Sequence, residues 1–164
     1  MEAYPLAPLL SVREYREEAA KNAVRAAENA LREAEAEVAR RQEELETYRV
    51  WRVEEEERRY GAVLGRTLTR DELDGFKAGL AGLIDGERRH EEQVAEALRQ
   101  VETRRTAVEG AREQAARARR ETSKILAHKE LWMEEARKEA ARLEDLEMEE
   151  FRPLPPQGAE NDDE

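Results

Sequence analysis

Residues 73–146 read LDGFKAGLAGLIDGERRHEEQVAEALRQVETRRTAVEGAREQAARARRETSKILAHKELWMEEARKEAARLEDL. Starting at Leu73 and stepping alternately by three and four residues, one meets apolar side chains at most positions as far as Leu146, and the step never slips. The polar exceptions are Glu87, His90, Arg104, Thr122, Lys129 and Glu139. A strict seven-residue repeat is typical of a helix that buries one narrow seam against a partner helix. The pattern therefore predicts a long helix paired with another helix.

A second heptad seam precedes the first and supplies that partner. Its positions, which only Arg41 interrupts, are Val24, Ala27, Leu31, Ala34, Val38, Arg41, Leu45 and Tyr48. Ser11 followed by Glu14 matches a capping box, which satisfies free amides at a helix start. These signals predict a first helix over about residues 12–60.

The connection between the two helices is short. Gly61 and Gly65 predict a turn over about residues 61–68, and Thr69 with Glu72 forms a second capping box. The second helix should run over about residues 70–151, since the next proline is Pro153. The predicted fold class is all-α, a long antiparallel two-helix coiled-coil hairpin with unequal arms, over residues 1–152. Position i should face roughly position 130 − i, so helix two should overhang from about Lys124.

The last residues differ in composition from the helices. Residues 153–164 read PLPPQGAENDDE, which is rich in proline and acidic side chains. Such a segment cannot bury enough apolar surface to order itself. It is predicted to be a disordered acidic tail.

Composition argues against several classes of function. Charged residues make up 42% of the chain and aromatic residues 5%, which is lean for the core of a globular enzyme. The formal net charge of −11 disfavours nucleic acid as a partner. The N-terminus lacks a signal-peptide pattern, and no run reaches the roughly 20 apolar residues that span a bilayer. We therefore expect a cytoplasmic protein that does not insert into the membrane.

The residues offer little catalytic chemistry. The chain has two histidines, His90 and His128, which lie about 57 Å apart along one helix by helical rise. No nucleophilic triad can form from that arrangement. Glu87-x-x-His90 matches half of the motif of di-iron bundles, so a metal-dependent oxidoreductase would need two associated hairpins. We predict no enzyme activity, cofactor or metal.

Two features leave alternatives open. Gly75, Gly79, Gly82 and Gly86 follow one flank of the second seam, where they indicate either close packing against helix one or a bendable, partner-binding tip. Trp132 occupies a seam position on the predicted overhang. An uncovered tryptophan there indicates either a partner or cover by the N-terminal apolar residues Leu6, Leu9 and Leu10.

Two segments resemble a known family. The N-terminal pattern from Tyr4-Pro5-Leu6 through Val12-Arg13 to Arg16, and the block His128-Lys129-Glu130-Leu131-Trp132-Met133-Glu134-Glu135-Ala136-Arg137-Lys138-Glu139-Ala140, resemble the SctO/YscO family of type III secretion, particularly its chlamydial-type members. That family is similar in form to the flagellar export protein FliJ. The resemblance implies a non-enzymatic central stalk that couples the hexameric secretion ATPase to the export gate protein. Some members also bind secretion chaperones.

The resemblance also implies where partners bind. The open end of the hairpin would contact the ATPase through Leu6, Leu10, Arg13, Arg16, Trp132, Met133, Arg137 and Lys138. The tip would contact the gate through Phe76, Leu80 and Leu83, although Glu87 stands where the flagellar relative has a histidine, and hairpin core remains the alternative for these three. The protein would be a monomeric hairpin, peripheral to the secretion apparatus at the inner membrane. The rival hypothesis is a structural coiled coil that homodimerises.

Overall fold

The computed structural model describes residues 2–153 and contains two α-helices. Helix α1 spans Ala7–Val63 and helix α2 spans Arg70–Glu150, and the described residues include no strand. The helices pack against each other in opposite directions, which confirms the predicted all-α hairpin with unequal arms. The chain divides into two compact units. Unit 1 comprises the described residues of 1–17 and 118–164, and unit 2 comprises residues 18–117.

Helix α1 begins at Ala7 rather than near residue 12, so the predicted capping box at Ser11 and Glu14 is wrong. The first turn is closed by Ala7 N donating to Tyr4 O at 3.2 Å and Leu10 N donating to Leu6 O at 2.9 Å. Pro8 lies in this turn. A proline is tolerated there because the amide that it lacks would have no intrahelical acceptor.

The connection is residues 64–69, shorter than the predicted turn. Gly65 adopts a positive φ of 74°, which is the left-handed conformation common just after a helix and favoured by glycine. Gly61, by contrast, lies within α1. The second capping box is confirmed, because Glu72 N donates to Thr69 Oγ1 at 3.2 Å and Thr69 N donates to Glu72 Oε2 at 3.4 Å.

Both predicted seams are the buried sides of the helices. Every position of the first seam is buried or half-buried, and so is the second seam from Phe76 to Ala136 with the exception of Arg104. The buried side chains of unit 2 are Leu45, Leu83, Ala97, Val101 and Val108, and those of unit 1 are Tyr4, Leu10 and Thr122. Each unit therefore has only a few buried side chains, and most of them occupy seam positions.

The predicted pairing register is wrong by about one helical turn. In unit 2, Tyr48 contacts Leu83 and His90, whereas the prediction placed it opposite position 82. In unit 1, Arg13 pairs with Glu121, whereas the prediction placed it opposite position 117. The connection lies further along the chain than expected, and this moves every facing residue of α2 toward its C-terminus.

Helix α2 ends one residue before the predicted end. Phe151 N donates to Glu147 O at 3.1 Å and Arg152 N donates to Glu149 O at 3.3 Å, and Pro153 follows. Proline disfavours the helical conformation in the residue that precedes it, which explains why the helix ends here. The predicted tail lies outside the described residues apart from Pro153. Over residues 2–153, neither helix is long and apolar enough to cross a membrane.

Candidate functional site

In unit 1, the residues before α1 pack onto the C-terminal part of α2. The Tyr4 hydroxyl and His128 Nδ1 share a hydrogen bond of 2.7 Å, and the Tyr4 ring meets Trp132 edge-on at a centroid distance of 5.5 Å. Tyr4 is only 8% exposed. The N-terminal segment therefore covers Trp132, as one of the two alternatives predicted. The residue that makes this aromatic contact is Tyr4, which the prediction did not name.

A second set of contacts ties the start of α1 to α2 in unit 1. The Arg13 guanidinium pairs with Glu121. The single hydroxyl proton of Thr122 is shared between two carbonyl acceptors, Ala118 O at 3.1 Å and Arg13 O at 3.3 Å, which satisfies the hydroxyl of a buried seam residue. The backbone carbonyl groups around Thr122 therefore explain why a polar residue can occupy this buried seam position.

These contacts divide the eight residues predicted to bind an ATPase. Leu10 is buried, Arg13 is engaged with Glu121, and Leu6, Trp132 and Met133 are half-buried. The remaining three are exposed: Arg16, Arg137 and Lys138. Lys138 Nζ lies 3.3 Å from Glu134 Oε1, one helical turn earlier. A partner could reach these three without rearranging the hairpin, and it could also touch the exposed edges of the half-buried residues.

Beyond Trp132, the seam of α2 continues without cover. Ala136 is half-buried, whereas Leu143 and Leu146 are 50% and 46% exposed. A shallow groove runs along this face, and its walls are Glu2, Trp132, Glu135, Ala136, Glu139, Ala140 and Leu143. The overhang is therefore real, although it starts after Trp132 and not at Lys124.

In unit 2, the polar seam residue Glu87 is held between two arginines of α1. Arg49 Nε lies 2.8 Å from Glu87 Oε1 and Arg52 Nη1 lies 2.9 Å from Glu87 Oε2, while Arg49 also reaches Glu91 at 3.3 Å. The Glu87 side chain is 17% exposed. The hydrogen bond to Glu87 is the largest influence on Arg49 and raises the pKa of its guanidinium. Glu87 is thus an interhelical ion-pair residue.

An aromatic cluster lies beside this ion pair. Tyr48 Oη donates to Leu83 O at 2.6 Å, and its ring lies 4.8 Å from His90 and 5.5 Å from Trp51 between centroids. Gly86 lies directly beneath Tyr48, because a Cβ at that position would sit 2.7 Å from Tyr48 Cζ. Sequence reasoning missed this cluster, although a seam tyrosine in one helix and a glycine flanking the seam of the other were its visible signals.

Of the two alternatives predicted for the four glycines, close packing against helix one holds for two of them. Gly79 and Gly86 are closely packed, against the Arg59 and Tyr48 side chains respectively. Gly75 and Gly82 have nothing within 4 Å of the space where a Cβ would stand. Helix α2 continues through all four positions. Packing within the hairpin therefore accounts for two of the glycines and leaves the other two unexplained.

The three residues predicted to bind an export gate lie near the connection in unit 2. Phe76 meets Tyr60 edge-on at 5.3 Å, Leu80 is half-buried, and Leu83 is 5% exposed. All three contribute to hairpin packing, and Leu83 is core. Only Phe76 and Leu80 retain surface that a partner could touch.

The histidines do not join a metal site in the part of the chain that the structure describes. No group of three or more His, Asp or Glu side chains in residues 2–153 is arranged to hold a metal ion. His128 is bonded to Tyr4, His90 packs on Tyr48, and Glu87 is occupied by arginines. The half-motif Glu87-x-x-His90 therefore has a structural explanation.

Comparison with known proteins gives one consistent result. The family model described as type III secretion protein YscO matches residues 6–153. The structure of type III secretion protein YscO from Vibrio parahaemolyticus is 28% identical, with a TM-score of 0.84 over 90% of this chain and 92% of that chain. A structure described as a YscO homolog from Chlamydia trachomatis is also 28% identical, with a TM-score of 0.73 over 92% and 93% of the two chains. No curated protein sequence matches the chain.

Proposed function

Since this chain belongs to the YscO family of type III secretion proteins, we propose that it is a stalk of the export apparatus that links the hexameric secretion ATPase to the export gate. The proposal covers no catalytic step, and it assigns the protein to the cytoplasmic side of the inner membrane. The observation that carries it is the family match over almost the whole hairpin, residues 6–153.

The cross-section of the helix pair supports a stalk. Two packed helices with side chains are about 20 Å across, since one helix is about 10–12 Å. Such a pair can enter the pore of a ring-shaped ATPase. The interhelical ion pairs of Glu87 with Arg49 and Arg52 resist sliding of one helix along the other. A helix pair that resists sliding can transmit an orientation along its length.

For the ATPase, the proposal now selects the exposed basic residues Arg16, Arg137 and Lys138. They project from unit 1 and need no rearrangement to reach an acidic surface. Trp132 and Met133 would contribute through their remaining exposed edges. Leu6, Leu10 and Arg13 would act indirectly, because they hold the start of α1 against α2.

For the gate, the proposal assigns the exposed edges of Phe76 and Leu80, with Leu83 supporting them from the core. Secretion chaperones remain a further class of partner. A scaffold that homodimerises is the competing hypothesis, and it predicts a dimer where the stalk hypothesis predicts a monomer.

The test is direct binding of purified full-length protein to the secretion ATPase of its own organism. The variant Arg137→Glu/Lys138→Glu should lower the affinity at least tenfold because it reverses charge at the proposed contact. The matched control is Arg99→Glu/Arg105→Glu, which reverses two exposed arginines of unit 2 and should leave the affinity unchanged. Circular dichroism should give the same helicity for all three chains.

Two results would overturn the stalk assignment. One is that the wild-type protein binds neither the ATPase nor the cytosolic domain of the gate protein. The other is that sedimentation gives a stable dimer whose formation excludes the ATPase. Equal loss of binding in the control would show that net charge, and not this surface, governs the association.

A further inference from the structure

The uncovered end of the α2 seam is a docking surface with a defined chemistry. We propose that the face formed by Ala136, Ala140, Leu143 and Leu146 binds a basic amphipathic helix of a partner protein. We call these four residues the open stripe. The proposal goes beyond the stalk role and does not depend on it, because it rests on the seam of the helix and the charges beside it. Of the residues assigned to the ATPase, Lys138 lies on the opposite side of the helix, whereas Arg137 adjoins Ala140 and Trp132 lies one turn before Ala136.

The pattern of the stripe specifies a helix as its occupant. Within unit 1 the same seam contains Thr122 and Ile125, which are buried or half-buried where residues 2–17 pack against α2. It then continues in the same three-four alternation to Leu143 and Leu146, which are about half exposed. A heptad seam has the geometry to accept knobs from a facing helix. The part of the seam beyond Trp132 is therefore a place for one more helix.

The charges beside the stripe specify a basic occupant. Glu135, Glu147 and Glu150 lie at or next to the stripe by helical spacing and make no ion pair with a described residue. Glu139 lines the groove and bonds Arg142, whose side chain lies further round the helix. Glu2 closes the other wall of the groove. Flanking charges select the partner helix in a coiled coil, and carboxylates here select lysine or arginine.

The same charges disfavour two other occupants. Residues 154–164 carry Glu160, Asp162, Asp163 and Glu164 but no lysine or arginine, so this segment would bring like charge to the stripe. A second copy of the chain would bring the same acidic flanks face to face. Like charges placed opposite one another are destabilising.

Two designed helical peptides of about three heptads probe the proposal in calorimetric titrations. Both carry leucine at the seam positions. One has lysine beside the seam and the other has glutamate. The full-length protein should bind the lysine peptide and not the glutamate peptide, and raising the salt concentration should weaken binding because exposed charges are screened.

Variants then locate the binding. Leu143→Ser/Leu146→Ser should reduce affinity for the lysine peptide at least tenfold, while Leu98→Ser, which alters an equally exposed leucine of unit 2, should not change it. Glu147→Lys/Glu150→Lys should reverse the preference between the peptides. All these side chains are exposed, so the variants should keep wild-type helicity.

Several outcomes would overturn the proposal. Absence of binding to the lysine peptide, equal binding of both peptides, or an equal loss in Leu98→Ser would each do so. A dimer that Leu143→Ser/Leu146→Ser abolishes would assign the stripe to a second copy. Binding that requires removal of residues 154–164 would assign it to that segment. ATPase binding is measured in its own assay, with Arg137→Glu/Lys138→Glu as the variant, so the stalk proposal stands or fails separately.

Discussion

Two glycines four residues apart should respond to alanine in opposite directions. Gly82 has open space where a Cβ would stand, whereas a Cβ on Gly86 would meet Tyr48. Glycine costs about 1 kcal/mol relative to alanine within a helix. Gly82→Ala should therefore raise the free energy of unfolding by about 0.5–1 kcal/mol, since the substitution adds helix propensity and displaces nothing.

Gly86→Ala should lower it despite the same gain in propensity. The new Cβ would lie 2.7 Å from Tyr48 Cζ, so the ring would have to move. The ring is held by the bond from its hydroxyl to Leu83 O and by contacts with His90 and Trp51. Loss of that bond costs about 1 kcal/mol, and each weakened aromatic contact about 0.5–1.5 kcal/mol. After the gain in propensity, we expect a net loss of about 1–2 kcal/mol.

Thermal unfolding followed by circular dichroism measures the difference. At about 2–4 °C per kcal/mol for a chain of this size, Gly82→Ala should raise Tm by about 2 °C and Gly86→Ala should lower it by about 4 °C. If Gly86→Ala stabilises as much as Gly82→Ala, then Tyr48 is not anchored as described. A double-mutant cycle with Tyr48→Phe refines the test. The freed ring can turn aside, so Gly86→Ala should cost about 1 kcal/mol less in that background.

Three further predictions concern the helix start, the aromatic contact and acid pH. Thr69→Ala should lower the free energy of unfolding by about 1 kcal/mol because it removes the capping bond, whereas Thr67→Ala in the connection should not. Tyr4→Phe should lower the free energy of unfolding by about 1 kcal/mol, because one hydrogen bond is lost. Tyr4→Ala should also raise the exposure of Trp132. Fluorescence quenching measures that exposure in a chain whose other tryptophan is replaced by phenylalanine. Hydrogen bonds from the Arg142 guanidinium lower the pKa of the Glu139 carboxyl below its ordinary 4.5. The pairing of the Glu139 carboxylate with Arg142 therefore stabilises the fold above pH 4.5, and this stabilisation is lost as the pH falls through the lowered pKa. A carboxyl NMR titration midpoint at or above 4.5 would contradict this.

The fold followed from the sequence because the heptad repeat is a local property. Seam residues such as Val101 and Val108 can be identified from spacing alone, and both are buried as predicted. The capping box at Thr69 is also a local signal, since its two bonds join residues three apart. The start of α1 was missed because Ser11 offered an equally local signal, while Pro8 is compatible with a first helical turn.

The contacts at the open end of the hairpin could not be predicted from the sequence in the same detail. Spacing placed Trp132 on the seam, but its contact with Tyr4 joins residues far apart in sequence. Tyr4 precedes α1 and belongs to no heptad, so periodicity gives it no position. The sequence therefore offered Leu6, Leu9 and Leu10 as the apolar residues that could cover Trp132. The structure shows that Leu10 is buried and that an aromatic residue provides the ring contact.

The pairing register could not be predicted from the heptad pattern, and the physical reason also explains why Glu87 and Gly86 interrupt or flank the apolar seam. When both seams are mainly apolar, sliding one helix by a turn still sets apolar side chains against apolar side chains, so the heptad pattern barely distinguishes registers. The register must therefore be fixed by residues that fit their surroundings in only one alignment of the two helices. Glu87 fits between Arg49 and Arg52, and Gly86 makes room for the Tyr48 ring. A slip of one turn would leave a partly buried carboxylate without cations, and a slip that sets the Tyr48 ring opposite His90 would also drive the ring into a side chain. The polar break in the seam and the glycine next to it, which look like defects in the repeat, are therefore the features that make the pairing unique.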